Sequence, residues 1–77
     1  MAGARVNLRR MGAEIGLPVS LLARAVWAEL PEIQPPTMSL ERAIGAYIMA
    51  PVNADDTLTD AEIVAIQAMA RHFVEVG

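Results

Sequence analysis

The stretch 58–76, LTDAEIVAIQAMARHFVEV, decides the fold. Thr59 stands three residues before Glu62, the spacing of a capping box, in which the threonine hydroxyl accepts an early helical amide and the glutamate reaches back. Leu58 and Ile63 occupy the flanking positions of a hydrophobic staple, so two independent signals set the same helix start. From there Ile63, Ile66, Met69, Ala70, Phe73 and Val76 recur at helical spacing as one apolar arc. Asp60, Gln67, Arg71 and Glu75 turn to water on the other side. The spacing predicts a helix over about 60–76.

Three further helices follow upstream by the same reasoning. Ala4, Leu8, Met11 and Ile15 share one face of a segment over about 4–15, with Arg5 and Arg9 opposite and Gly16 placed to stop it. Pro18 suits a first helical turn, and Val19, Leu22, Val26 and Leu30 form the inner arc of a second segment, about 18–30, that Pro31 ends. Ser39 is the N-cap of a third, about 39–50, with Leu40, Ile44, Tyr47 and Ile48 inward and Pro51 beyond. The expected fold is all-α, a compact bundle of four short helices in a single domain, 1–77. Its one linker is the Pro-rich connection 31–37, where Pro31, Pro35 and Pro36 oppose both helix and central strand.

Composition agrees with helices. The chain has 77 residues, fourteen of them alanine and only three aromatic, which favours close helix contacts over a β-sandwich. A chain this short buries only ~60 to 65% of its unfolded surface. With no cysteine and one histidine, neither a disulfide nor a structural zinc centre is available to support it. Hydrophobic residues make up 55% of the sequence, more than so small a core absorbs, so part of that surface is expected at an interface with a partner or a second copy. A membrane-spanning helix needs ~20 mainly apolar residues. The longest uninterrupted apolar stretch, 43–52, is half that length and contains Pro51, and no apolar signal segment follows the early arginines. The expectation is a cytoplasmic protein with no membrane role.

Charge is unevenly divided. Residues 1–30 sum to +2, through Arg5, Arg9, Arg10 and Arg24, whereas residues 31–77 sum to -5. The first half suits an anionic partner, and the second would be repelled by one.

Within that basic half, residues 8–27, LRRMGAEIGLPVSLLARAVW, resemble the helix-turn-helix core of small DNA-binding regulators. Small Gly12, then Ile15, Gly16 and Leu17 at the turn, with Leu22 and Ala25 on the second helix, carry the likeness. A small residue lets two helices approach, and glycine accepts the left-handed conformation that reverses the chain. The resemblance implies a second helix lying in the major groove and presenting Pro18, Ser20, Ala23, Arg24 and Trp27. Of these, Ser20 and Arg24 are the residues able to read a base edge, and the acidic total charge opposes phosphate binding.

Two other stretches resemble known elements. Pro51 to Glu62 aligns with an EF-hand calcium loop at Asn53, Asp55, Leu58 and Glu62, but Pro51 offers no side-chain ligand and Asp56 stands where a glycine makes the bend. Glu62 also belongs to the capping box. The stretch therefore reads as a solvated acidic loop beside a helix N-terminus whose dipole favours acids. Residues 43–70 resemble the helix, acidic loop and helix of tellurite-resistance TerB-like domains, which implies helical architecture. The segment 58–73 resembles the closing helix of bacterial cytochromes c, yet covalent haem attachment needs a Cys-x-x-Cys-His sequence and there is no cysteine. Met49 and Met69 read as core filling, and His72 as a helix-end residue.

Nothing in the sequence assembles a catalytic group. Ser20, Ser39, Thr37, Thr57 and Thr59 are of capping and turn types, and the five glycines are too scattered for a phosphate loop. No catalytic, cofactor or metal residue is assigned. The expected function is that of a small non-enzymatic protein-binding module, a subunit, adaptor or inhibitor in a larger complex, with a protein or a second copy as partner. The alternative is a helix-turn-helix DNA-binding regulator. Both readings place the partner-binding residues at Arg9, Ser20, Arg24 and Trp27, because projection at 100° per residue sets Ser20, Arg24 and Trp27 opposite Leu22 and Val26.

Overall fold

A computed structural model describes residues 4–29 and 36–76. A short strand β1 (Ala4–Val6) leads into α1 (Leu8–Ile15) and α2 (Val19–Val26). After these come α3 (Leu40–Met49) and α4 (Asp60–Ala70), and then a 3-10 turn (Arg71–Phe73) delivers β2 (Val74–Val76). The described residues form an all-α bundle of four short helices. Both α2 and α3 pack on α4, α1 packs on α2 and on the 3-10 turn, and β1 pairs with β2.

Local chemistry explains the helix starts. Asn7 Oδ1 accepts the Arg10 amide at 3.1 Å and Ser39 Oγ accepts the Arg42 amide at 3.2 Å, each satisfying an otherwise unpaired N–H. At α4 the capping box is complete. Thr59 Oγ1 accepts the Glu62 amide at 3.1 Å, and Glu62 Oε1 accepts the Thr59 amide at 2.9 Å. Glu62 is buried, and this exchange is what occupies its carboxylate.

The turn between α1 and α2 depends on two glycines. Gly16 has φ +76°, and the amides of Gly16 and Leu17 both donate to the carbonyl of Gly12, at 2.9 and 3.2 Å. A Cβ at Gly12 would stand 2.7 Å from the Leu17 carbonyl oxygen, so glycine is what permits the chain to pass there.

The core is built from Phe73, Met11, Leu22, Ile66 and Met69, all fully buried. Alanines 25, 43 and 68 fill the places between them, where a small side chain lets the helices come close. Ala43 takes the innermost position of α3. The expected inner residues Leu40, Ile44 and Tyr47 pack around it half-buried.

Three element boundaries differ from the expectation, each for a non-local reason. Residues 4–6 and 74–76 are not helical but pair as an antiparallel ribbon, with Ala4 opposite Val76, Arg5 opposite Glu75 and Val6 opposite Val74. Opposed charges and β-branched residues suit such pairing. The Asn7 amide donates to the Phe73 carbonyl at 2.8 Å, and Asn7 Nδ2 donates to Glu75 Oε1 at 2.8 Å, which extends the junction beyond the strands. Val76, expected on the inner arc, is exposed. The second helix stops at Val26, the Ala28 amide turns back to the Ala25 carbonyl at 3.2 Å, and Gln67 Nε2 caps the end by donating to the carbonyls of Ala25 and Ala28. Gln67 therefore does not turn to water. Val19 and Ile48, expected inward, and Met49, expected as core filling, are exposed, whereas Met69 is buried as expected. Leu30 and residues 31–35 of the Pro-rich connection lie outside the described residues.

Candidate functional site

Helix α2 buries Leu22 and Ala25 against the bundle, and the side chains 100° or more away face out. Pro18, Ser20 and Arg24 are exposed and Ala23 is half-buried. Trp27 is the C-cap residue of α2; its amide donates to the Ala23 carbonyl at 3.2 Å, and its indole is 66% exposed. A large aromatic on the surface of a chain with so few aromatics is an unusual use of apolar area. Val19, at the start of the same helix, is also exposed.

The arginines of the first half differ in their commitments. Arg10 donates to Glu14 Oε1 at 3.2 Å and lies 5.7 Å above the Phe73 ring, so it holds α1 to the 3-10 turn. Arg5 stands opposite Glu75 in the ribbon register. Arg10–Glu14 is the one ion pair among the described residues, and neither exposed Arg9 nor exposed Arg24 makes a side-chain hydrogen bond there. From Ile15 to Ala28, Arg24 is the only charged residue. The outer side of α2 is thus an apolar surface with one cation, with Arg9 on the adjoining α1.

A second apolar surface lies at the end of α3. Ile48 is 70% exposed, and Met49 and Val52 are each 83% exposed. Sequence periodicity turned Ile48 inward, with Tyr47, because it stands four residues after Ile44 and eight after Leu40. The ten-residue α3 presents Ala43 and Tyr47 to α4, which carries Ile48 and Met49 outward.

The loop that follows is acidic and internally bonded. Thr57 Oγ1 donates to Asp55 Oδ1 at 2.7 Å, its amide donates to the same oxygen at 3.3 Å, and Asn53 Nδ2 donates to Thr57 Oγ1 at 3.0 Å. These bonds from Thr57 favour the charged carboxylate and hold the Asp55 pKa below the ordinary carboxylate value. Asp56 has φ +62°, taking the bend itself. Among the described residues no three of His, Asp and Glu gather as a metal-binding group. His72 is exposed in the 3-10 turn, with Nε2 2.7 Å from the Met38 carbonyl, and Arg71 donates to Thr37 Oγ1 at 3.3 Å. Both side chains tie the segment before α3 to the end of α4.

Among the described residues no helix is long and apolar enough to cross a membrane. Comparison with known proteins finds no family model, no curated protein and no solved structure that matches the chain.

Proposed function

We propose that the chain is a small, non-enzymatic protein-binding module of the cytoplasm that engages its partner through the outer face of α2, with Trp27 as the anchor. The observation that carries this reading is the exposed indole of Trp27 on the same helix as Arg24. Trp and Arg are the residues most enriched among those that dominate binding energy, because a flat aromatic surface is desolvated at little entropic cost. Arg9 and Ser20 belong to the rim of this face and set its charge and hydrogen bonding.

A second reading, DNA binding by a helix-turn-helix, draws support from the turn. Gly16 in the left-handed conformation, Gly12 against Leu17, and outward Ser20, Arg24 and Arg9 match what that resemblance implies. A net charge of -3 works against it.

Affinity capture from the source cells, with wild type and Trp27→Ala compared side by side, tests the first reading. A protein retained by wild type and lost by the folded variant supports it; equal retention by both counts against it. Titration of a mixed-sequence DNA duplex against salt tests the second. Counterion release predicts binding that falls steeply with salt, whereas a protein interface centred on Trp27 changes little.

A further inference from the structure

We propose that copies of this chain associate head to tail, the outer face of α2 on one copy receiving the apolar, acidic corner at the end of α3 on the next. The inference rests on reading α2 as a binding face, and it names the occupant.

The two surfaces complement one another in both hydropathy and charge. The α2 surface offers Val19 and Trp27 with Arg24, and Arg9 lies on the adjoining helix. The other offers Ile48, Met49 and Val52, followed in the next eight residues by exposed Asp55, Asp56 and Asp60. Between residues 43 and 70 there is no Lys or Arg at all. The Asp55 carboxylate accepts both the hydroxyl and the amide of Thr57, bonds that fix its position in this corner. Two acids are close in sequence to this face, Glu29 just beyond Trp27 and Glu14, which is paired with Arg10.

Charge also selects the mode of association. Pairing two α2 faces would set Arg24 and Arg9 toward their own copies, and pairing two acidic corners would oppose three aspartates to three. Only the unlike pairing joins opposite charges while covering apolar surface on both sides. Because α2 and α3 each pack on α4, one copy carries both surfaces at once. Such a contact is heterologous: every pairing leaves a free face on each side, and assembly continues into a ring or a filament. With two or three large apolar side chains per face, the contact is of the small, weak class, and association is expected at micromolar concentration or above.

Sedimentation velocity of the whole chain across that range provides the test, using Trp27→Ala, which disables one face, and Met49→Ser, which disables the other. Both residues are largely exposed, and circular dichroism checks that each variant is folded. The expected result is wild-type growth beyond the dimer, with association weakened about 10-fold or more in each variant alone. An equal mixture of the two variants retains one intact face of each kind, and should recover a dimer that grows no further. A wild type that stays monomeric overturns the proposal, and so does a mixture no more associated than its components. Arg24→Glu supplies a second variant of the α2 face should Trp27→Ala fold poorly. If both α2 variants associate like wild type, α2 is not a binding face and the functional reading above falls with the proposal. If wild type is monomeric but Trp27→Ala loses a captured protein, only the choice of occupant is wrong.

Discussion

The side-chain amide of Gln67 donates to the carbonyl oxygen of Ala25 at 2.9 Å, across 42 residues of sequence, and the same nitrogen reaches the Ala28 carbonyl. This bond caps the end of α2, ties α4 to it, and leaves Trp27 at the surface between the two carbonyls that Gln67 holds.

Gln67→Leu should therefore destabilise the fold by about 1 kcal/mol or more, because two partly buried carbonyls lose their side-chain donor. Hydrogen exchange is the sharper readout. The amides of Trp27 and Ala28 should lose protection more than those of α3, and uniform loss would show that Gln67 does not act locally.

Thr59→Ala should lower stability by ~0.5 to 2 kcal/mol, and Thr59→Ser should retain most of it, since only the hydroxyl is needed at the N-cap. Removing it also leaves the buried Glu62 carboxylate without its Oγ1 neighbour at 3.1 Å. Chemical denaturation compares the three chains; equal midpoints for wild type and Thr59→Ala would deny the cap its role.

Two glycines make opposite predictions. Gly12→Ala places a methyl 2.7 Å from the Leu17 carbonyl and should cost ~1 to 3 kcal/mol as the turn is pushed apart. Gly45→Ala, in α3, meets nothing within 4 Å and should stabilise by ~0.5 to 1 kcal/mol through helix propensity. Thermal unfolding of both variants tests the pair.

Acidification should loosen the loop after α3 before the rest of the fold. The Asp55 pKa is depressed by its bonds from Thr57, so its contribution is present above the unfolded carboxylate value and is lost as pH falls through the lower folded value. Amide resonances of Thr57 followed against pH should titrate below the ordinary aspartate range. Asp55→Asn should abolish that titration and leave the α4 signals in place.

Much of the architecture was legible in the residues themselves. The start of α4 at Thr59, the stop of α1 at Gly16, the N-cap at Ser39 and the break before Pro51 all rest on bonds spanning four residues or fewer. Sequence spacing determines such local events, since the partners are neighbours in any conformation near the native one. The outward position of Ser20, Arg24 and Trp27 was legible too, because Leu22 and Ala25 claim the opposite side of α2.

Other features were settled only by tertiary contact. Residues 4–6 and 74–76 have helical spacing when read alone, but the two segments meet, and a ribbon satisfies backbone groups that frayed helix ends would leave to water. The end of α2 is capped by a glutamine from α4, and the outward turn of Ile48 depended on Ala43 fitting against that same helix. Periodicity in the sequence determined that these segments have an apolar side. Which residues of that side were covered depended on close packing between helices, because a small alanine admits a nearer approach than the larger residues beside it.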